Sequence, residues 1–178
     1  MVSSYICLQT LSRLQHEWDV YAVATCQEEV GTIGAETTAY RIEPDIALVV
    51  DVTFSKVPGI SENNPCEIDK GPVLGIGPNM HPVVTKYLKD IATHLEIPLQ
   101  SEIISGHSGT DAWYIQVSRH GVPTGLLSLP SRYMHTPIES VSIKDIERTG
   151  RLMAHFISSL DESFVDTLIP KDGFEEEV

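Results

Sequence analysis

The sequence predicts an α/β domain, a mainly parallel β-sheet sandwiched by helices. Three observations predict it. Short β-prone runs alternate with helical patterns from residue 2 to residue 160, the order in which helices serve as crossovers between parallel strands. The run "IALVVDVTF" (46–54) is apolar at nearly every position rather than at alternate ones, the pattern of a strand in a sheet covered on both sides. The clearest helix, "SIKDIERTGRLMAHFISSL" (142–160), opens on Ser142 with Asp145 three residues later, a variant of the capping box.

The elements follow in order. Residues 2–16 carry Val2, Tyr5, Ile6, Leu8, Leu11 and Leu14 at helical spacing. "VYAVAT" (20–25) is a short strand, and "GTIGAETTAYRI" (31–42) a helix that ends before Pro44. After the strand at 46–54, residues 55–71 form the one long irregular stretch, and "PVLGIGPNMHP" (72–82) is a strand running into a turn. Residues 81–96 place Val84, Leu88, Ile91 and Leu95 on one face behind Pro82 and read as a helix. "LQSEII" (99–104) is a strand, "TDAWYIQVSRHG" (110–121) a helix stopped by Gly121, and "TGLLSLP" (124–130) a strand. The expected organisation is one domain over 1–165 and an acidic tail over 166–178, which contains "DGFEEEV".

Composition excludes several classes of function. The chain has 178 residues, 42% of them hydrophobic and 21% charged, which is enough for one core. A net charge of −13 has the wrong sign for a nucleic-acid partner. No apolar run approaches the roughly 18 residues needed to span a membrane, and no basic start with an apolar stretch suggests a secretory signal. Cys7, Cys26 and Cys66 are widely spaced with no CxxC, so neither a disulfide framework nor a thiolate zinc site is expected. Reduced thiols point to the cytoplasm. "GPVLGIGPN" (71–79) is a poor phosphate cradle, since Pro72 and Pro78 remove backbone donors and no GK[ST] follows. "YICLQTLSRL" (5–14) reads as a core helix, its polar face being short of the basic residues of a membrane-surface helix.

In an α/β sheet, sites gather outside the carboxyl ends of the strands. Glu28 and Glu29 follow "VYAVAT", Asp51 lies within "LVVDVTF", and His135 follows "LLSLP". Carboxylates with an imidazole suit zinc, cobalt or manganese. Two adjacent acids allow one to bind metal and the other to act as a general base. Plainer readings stand beside this one. Asp51 can serve as a turn partner, Glu28 and Glu29 can be a solvated strand end, and His135 can be a loop histidine. The residues alone leave these open.

Four ordered segments carry a resemblance. "QEEVGTIGA" (27–35), "DVTF" (51–54), "SGHSGTDA" (105–112) and "LPSRYMHTPIE" (129–139) resemble the glutamyl aminopeptidase family of dinuclear metallopeptidases. That family includes tetrahedral and deblocking aminopeptidases and proteins labelled cellulase M or endoglucanase M. The resemblance runs from residue 1 to about 160. It implies a zinc-aminopeptidase-like catalytic domain, peptide substrates, two divalent metal ions (zinc or cobalt) and homo-oligomers. It implies that Glu28 is the general base toward a metal-bridging water, that Glu29 and His135 ligate one metal, and that Asp51 ligates the other. It gives Gly109, Thr110 and Asp111 a supporting place near the site, where Asp111 also suits a helix N-terminus. Arg132 and Tyr133 would fix the loop of His135, and His107 would face solvent or lie behind the ligands.

The sequence also departs from the family. The family's other ligand histidine and its bridging aspartate lie earlier, the aspartate in an Asp-Asp-Arg segment just before the helix that here begins at Met1. The first aspartate here is Asp19, after that helix. The expectation is therefore a chain that is the C-terminal half of such a protein, with an incomplete site and an exposed sheet edge. Zinc catalytic sites commonly keep three protein ligands, so this chain alone is expected to show little or no aminopeptidase activity. A non-catalytic subunit needing a partner is the alternative. An endoglucanase is disfavoured, because a glycosidase needs two carboxyls flanking the scissile bond roughly 5 Å or more apart, and Glu28 and Glu29 are sequence neighbours.

Overall fold

A computed structural model describes residues 1–59 and 66–168. Helix α1 (Val2–Leu11) leads through an irregular segment to a 3₁₀ turn at Glu28–Val30, helix α2 (Ile33–Ile42) and strand β1 (Ala47–Phe54). Then come β2 (Val73–Ile76), α3 (Pro82–His94), β3 (Gln100–Ile103), α4 (Ala112–Ile115) and β4 (Thr124–Arg132). A two-residue strand β5 (Ser140–Val141), helix α5 (Ile143–Ser158) and helix α6 (Glu162–Leu168) complete it.

The sheet order is β1-β4-β2-β3, with β5 on the end of β4. The two longer ladders are parallel: β1 on β4 from Ala47↔Thr124 to Phe54↔Ser131, and β2 on β3. The short β2–β4 and β4–β5 ladders are antiparallel. The sheet is thus mixed and mostly parallel, as expected. β4 is central, and neighbouring Leu126 and Leu127 are each 1% exposed because successive side chains enter opposite layers. On one side Leu127, Leu74, Val84, Leu88, Leu152 and Phe156 form the main core with α1, α3, α5 and α6. On the other, Val49, Leu126, Met80 and Ala112 form a smaller cluster joined by Ile104 and Ile115. Tyr87 sits 5.6 Å from Phe156 and 4.8 Å from Phe164, ring centre to ring centre. Helix α1 packs on α5 where Gly150 lets the helices approach, since a Cβ there would fall 2.7 Å from Ile6 Cβ. That contact makes α1 a core helix, as its sequence implied.

Several expectations need correction. Residues 20–25 are not a strand: no ladder includes them, and Val20, Tyr21 and Val23 are exposed. β propensity makes a strand only where a neighbour supplies the ladder. The helix expected over 110–121 is regular only over Ala112–Ile115, then continues as turns to Gly121, whose φ is +93°. The capping box at Ser142 does not form. Ser142 Oγ donates to Asp69 Oδ1 at 3.2 Å, and the Asp145 carboxylate turns inward. β5 and α6 went unforeseen. The acidic segment 172–178 and part of the irregular stretch lie outside the described residues.

Asp145 is 1% exposed, and its two oxygens accept hydrogen bonds from the Asp69 and Gly71 amides and from Arg148. It fastens the loop before β2 to the start of α5. Cys7 and Cys66 are buried free thiols, pushed by burial up to about 11, whereas Cys26 is exposed. Replacing Asp145 with Ala strands the buried Gly71 amide, the half-buried Asp69 amide and the Arg148 charge, so it should cost about 3 kcal/mol. Urea unfolding should show a lower midpoint with an unchanged slope; a loss under about 1 kcal/mol would contradict the role given to this carboxylate.

Candidate metal centre

Glu28 and Glu29 stand on the 3₁₀ turn between the irregular segment and α2. Their presentation is a backbone effect. Gln27 and Thr32 are left-handed, at φ +58° and +56°, and Gly31 lies between them at +124°. Left-handed Thr is costly, so the surroundings must hold this turn. The amides of Gly31 and Thr32 donate to the Glu28 carbonyl, and Gly34 N donates to Cys26 O at 3.1 Å. Gly34 has no substitute here, since a Cβ would overlap the Cys26 carbonyl. Thr25 Oγ1, just before the turn, donates to Asp111 Oδ2 at 2.7 Å.

Asp51 is in mid-β1, opposite Ser128 of β4, and is half-buried. Its Oδ1 accepts from the next amide, Val52 N, at 2.7 Å. His135 lies just beyond β4, exposed, at φ +61°. Its backbone N–H donates to Glu139 Oε1 at 2.8 Å, which shapes the turn without engaging the ring.

These side chains share one electrostatic field. Burial first, then the negative charges of Asp51, Glu29 and Asp111, raise the Glu28 carboxyl above its ordinary value, and His135 opposes the rise. Burial also raises Asp51. The Val52 amide counters it, Asp111 and Glu29 add to it, and His135 again opposes. Glu29, Asp111 and His135 thus lie within electrostatic reach of both Glu28 and Asp51. Such a cluster favours a bound cation or a proton.

The donor types, carboxylate oxygen and imidazole nitrogen, suit zinc, cobalt or manganese. Asp111 Oδ1 is buried without a hydrogen-bond partner among the described residues. Yet no three His, Cys, Asp or Glu side chains among the described residues gather closely enough to enclose one ion. The set fits divalent metal in kind and in charge; in number it does not close a coordination sphere.

The flanking residues divide. Gly109, at φ +70°, donates its N–H to His107 Nδ1. Thr110 Oγ1 pairs with Ser108 Oγ at 3.0 Å and accepts from Ala112 N. The His107 ring is stacked on Trp113 at 4.4 Å. Arg132 Nε donates to the Lys56 carbonyl, tying the loop after β1 to the end of β4, and Tyr133 is 45% exposed. Sequence reasoning missed Thr25 and Glu139. Glu139 lies four residues past His135, near enough to suspect. Thr25 meets Asp111 across 86 residues, with no local signal.

The field at Asp51 has a measurable consequence. Its folded-state carboxyl is raised, so its ionisation disfavours the fold as pH climbs through and beyond the ordinary carboxylate range. Asp51→Asn should therefore melt at a higher temperature than the parent at pH 7 in chelator, and the gap should close once pH falls below the ordinary Asp value. An equal or lower melting temperature at pH 7 would contradict the crowding.

The profile of the M42 glutamyl aminopeptidase family matches residues 2–152. The lysyl aminopeptidase of Pyrococcus furiosus is 39% identical over 146 residues, which are 82% of this chain and 42% of that protein. Aminopeptidase APDkam598 from the archaeon Desulfurococcus kamchatkensis superposes with a TM-score of 0.86 at 38% identity, over 98% of this chain and 50% of that one. The TET aminopeptidase of Thaumarchaeota archaeon SCGC AB-539-E09 superposes with a TM-score of 0.85 at 32% identity, over 94% and 49%. The chain thus spans about half the length of the relatives it matches. It belongs to the M42 glutamyl aminopeptidase family.

Proposed function

We propose that this chain carries the base and part of the metal-holding set of a metallo-aminopeptidase that hydrolyses N-terminal peptide bonds. The observation that carries the reading is that Glu28 lies within the combined field of Glu29, Asp51, Asp111 and His135. In it, Glu29 and His135 hold one divalent ion and Asp51 holds a second, zinc or cobalt in both cases. When bound, the ions polarise the scissile carbonyl and acidify the attacking water. Glu28 accepts the proton of that water and delivers it to the leaving amine. Burial and the neighbouring negative charges raise its carboxyl, the direction that strengthens a carboxylate as a proton acceptor. Asp111, Thr110 and Gly109 support the site from the α4 side. Arg132 and Tyr133 belong to the turn that places His135.

The reading includes peptide substrates, a cytoplasmic setting consistent with three free thiols, and assembly into homo-oligomers. Among the described residues no helix is long and apolar enough to cross a membrane. A second reading, a non-catalytic subunit that needs a partner's ligands, is favoured by one observation, the lack of any three-donor group. Both readings give the isolated chain little or no turnover.

A chimera separates them. This chain replaces the matching segment of the Pyrococcus furiosus lysyl aminopeptidase. With zinc or cobalt, the chimera should release p-nitroaniline from aminoacyl p-nitroanilides. Glu28→Gln should lower kcat by roughly 10²–10⁴-fold with metal content unchanged. A folded, metal-loaded chimera without activity, or one indifferent to Glu28→Gln, would sink the catalytic reading.

A further inference from the structure

We infer that Thr25 and Asp111 form a positioning pair that fixes the turn presenting Glu28 and Glu29. The inference rests on the roles proposed for those two glutamates.

Asp111 stands where a helix-capping acid would stand, immediately before α4, yet it makes no capping bond. Thr110 does that work instead, accepting from Ala112 N at 3.3 Å. Asp111 Oδ2 accepts from the Thr25 hydroxyl, and its Oδ1 is buried without a partner among the described residues. The residue is only 8% exposed. A buried carboxylate left half-satisfied is destabilising, so stability alone does not explain an acid at this position.

The receiving segment needs the tie. Residues 20–25 join no ladder. Among the described residues, the Thr25–Asp111 bond is the one side-chain hydrogen bond that links residues 19–27 to the rest of the fold. Two residues beyond Thr25 the chain enters the left-handed conformation of Gln27, and Glu28 follows. The other end of the tie is rigid. Asp111 adjoins Ala112, which is 0% exposed and packs with Val49 and Leu126 on the sheet. The core thus holds Thr25 through one charge-assisted bond, and Thr25 sets where the turn begins. A carboxylate displaced by about 1 Å loses on the order of 10²-fold in a reaction that depends on its placement.

Hydrogen–deuterium exchange on the intact chain tests the pair. Thr25→Val and Asp111→Ala should each speed exchange of the amides of residues 26–34 by about tenfold, as expected for losing one charge-assisted bond. Thr25→Ser keeps the donor and should exchange like the parent, whereas Asp111→Asn keeps an acceptor without the charge and should fall between the parent and Asp111→Ala. The double variant Thr25→Val/Asp111→Ala should go no further than either single one. In the chimera, Thr25→Val should lower kcat at least about tenfold with little change in KM, and Thr25→Ser should restore it. Unchanged exchange in the two disruptive variants, or acceleration that spreads equally into α5, would overturn the pair. An inactive chimera would count against the proposed function alone, because the exchange experiment does not depend on it.

Discussion

The parallel pairing of β1 with β4 is the constraint on which the site depends. Its register sets Asp51 opposite Ser128 and carries β4 on to Arg132, so that His135 emerges beside the same end of the sheet. Main-chain hydrogen bonds along eight paired positions fix this relation, and the two cores fix the strands in turn. A slip by one residue would move Asp51 to the opposite face. The Glu28–Glu29 turn and the loop that ends at Asp111 are joined to each other by the Thr25–Asp111 bond.

The same convergence puts stability and chemistry in opposition. Four carboxylates share a field with one imidazole, and burial and like charge raise two of them. In a chain without metal that is a destabilising arrangement, and the rest of the fold offsets it. The Asp145 junction shows the contrast. There a buried acid has both oxygens satisfied and an arginine beside it, and it holds two segments together. At the candidate centre the acids remain short of partners, and Asp111 Oδ1 has none among the described residues. Acids left in this condition mark places where a protein holds a cation or moves a proton.

Much of the fold was legible in the sequence, because periodicity reports burial. The spacing of Val84, Leu88, Ile91 and Leu95 located α3: Val84 and Leu88 are buried in the main core, and Ile91 and Leu95 pack against it. Residues 20–25 misled because their composition is that of a strand while strand formation depends on a neighbour that sequence does not reveal. Asp145 misled because its place relative to Ser142 fits a local cap, whereas two amides 74 and 76 residues away claim its carboxylate. The candidate residues could be named where the motifs are contiguous, as in "QEEVG" and "RYMH". The Thr25–Asp111 bond could not, since its partners lie in different segments and neither has an unusual neighbourhood.

The most direct test of the account is a titration of the purified chain with cobalt(II), followed by its visible absorption and by elemental analysis. The account expects fewer than two ions per chain, weakly held, with binding reduced by Glu29→Ala or His135→Ala and unchanged by His107→Ala. Two tightly held ions, or binding indifferent to Glu29, Asp51 and His135, would contradict it.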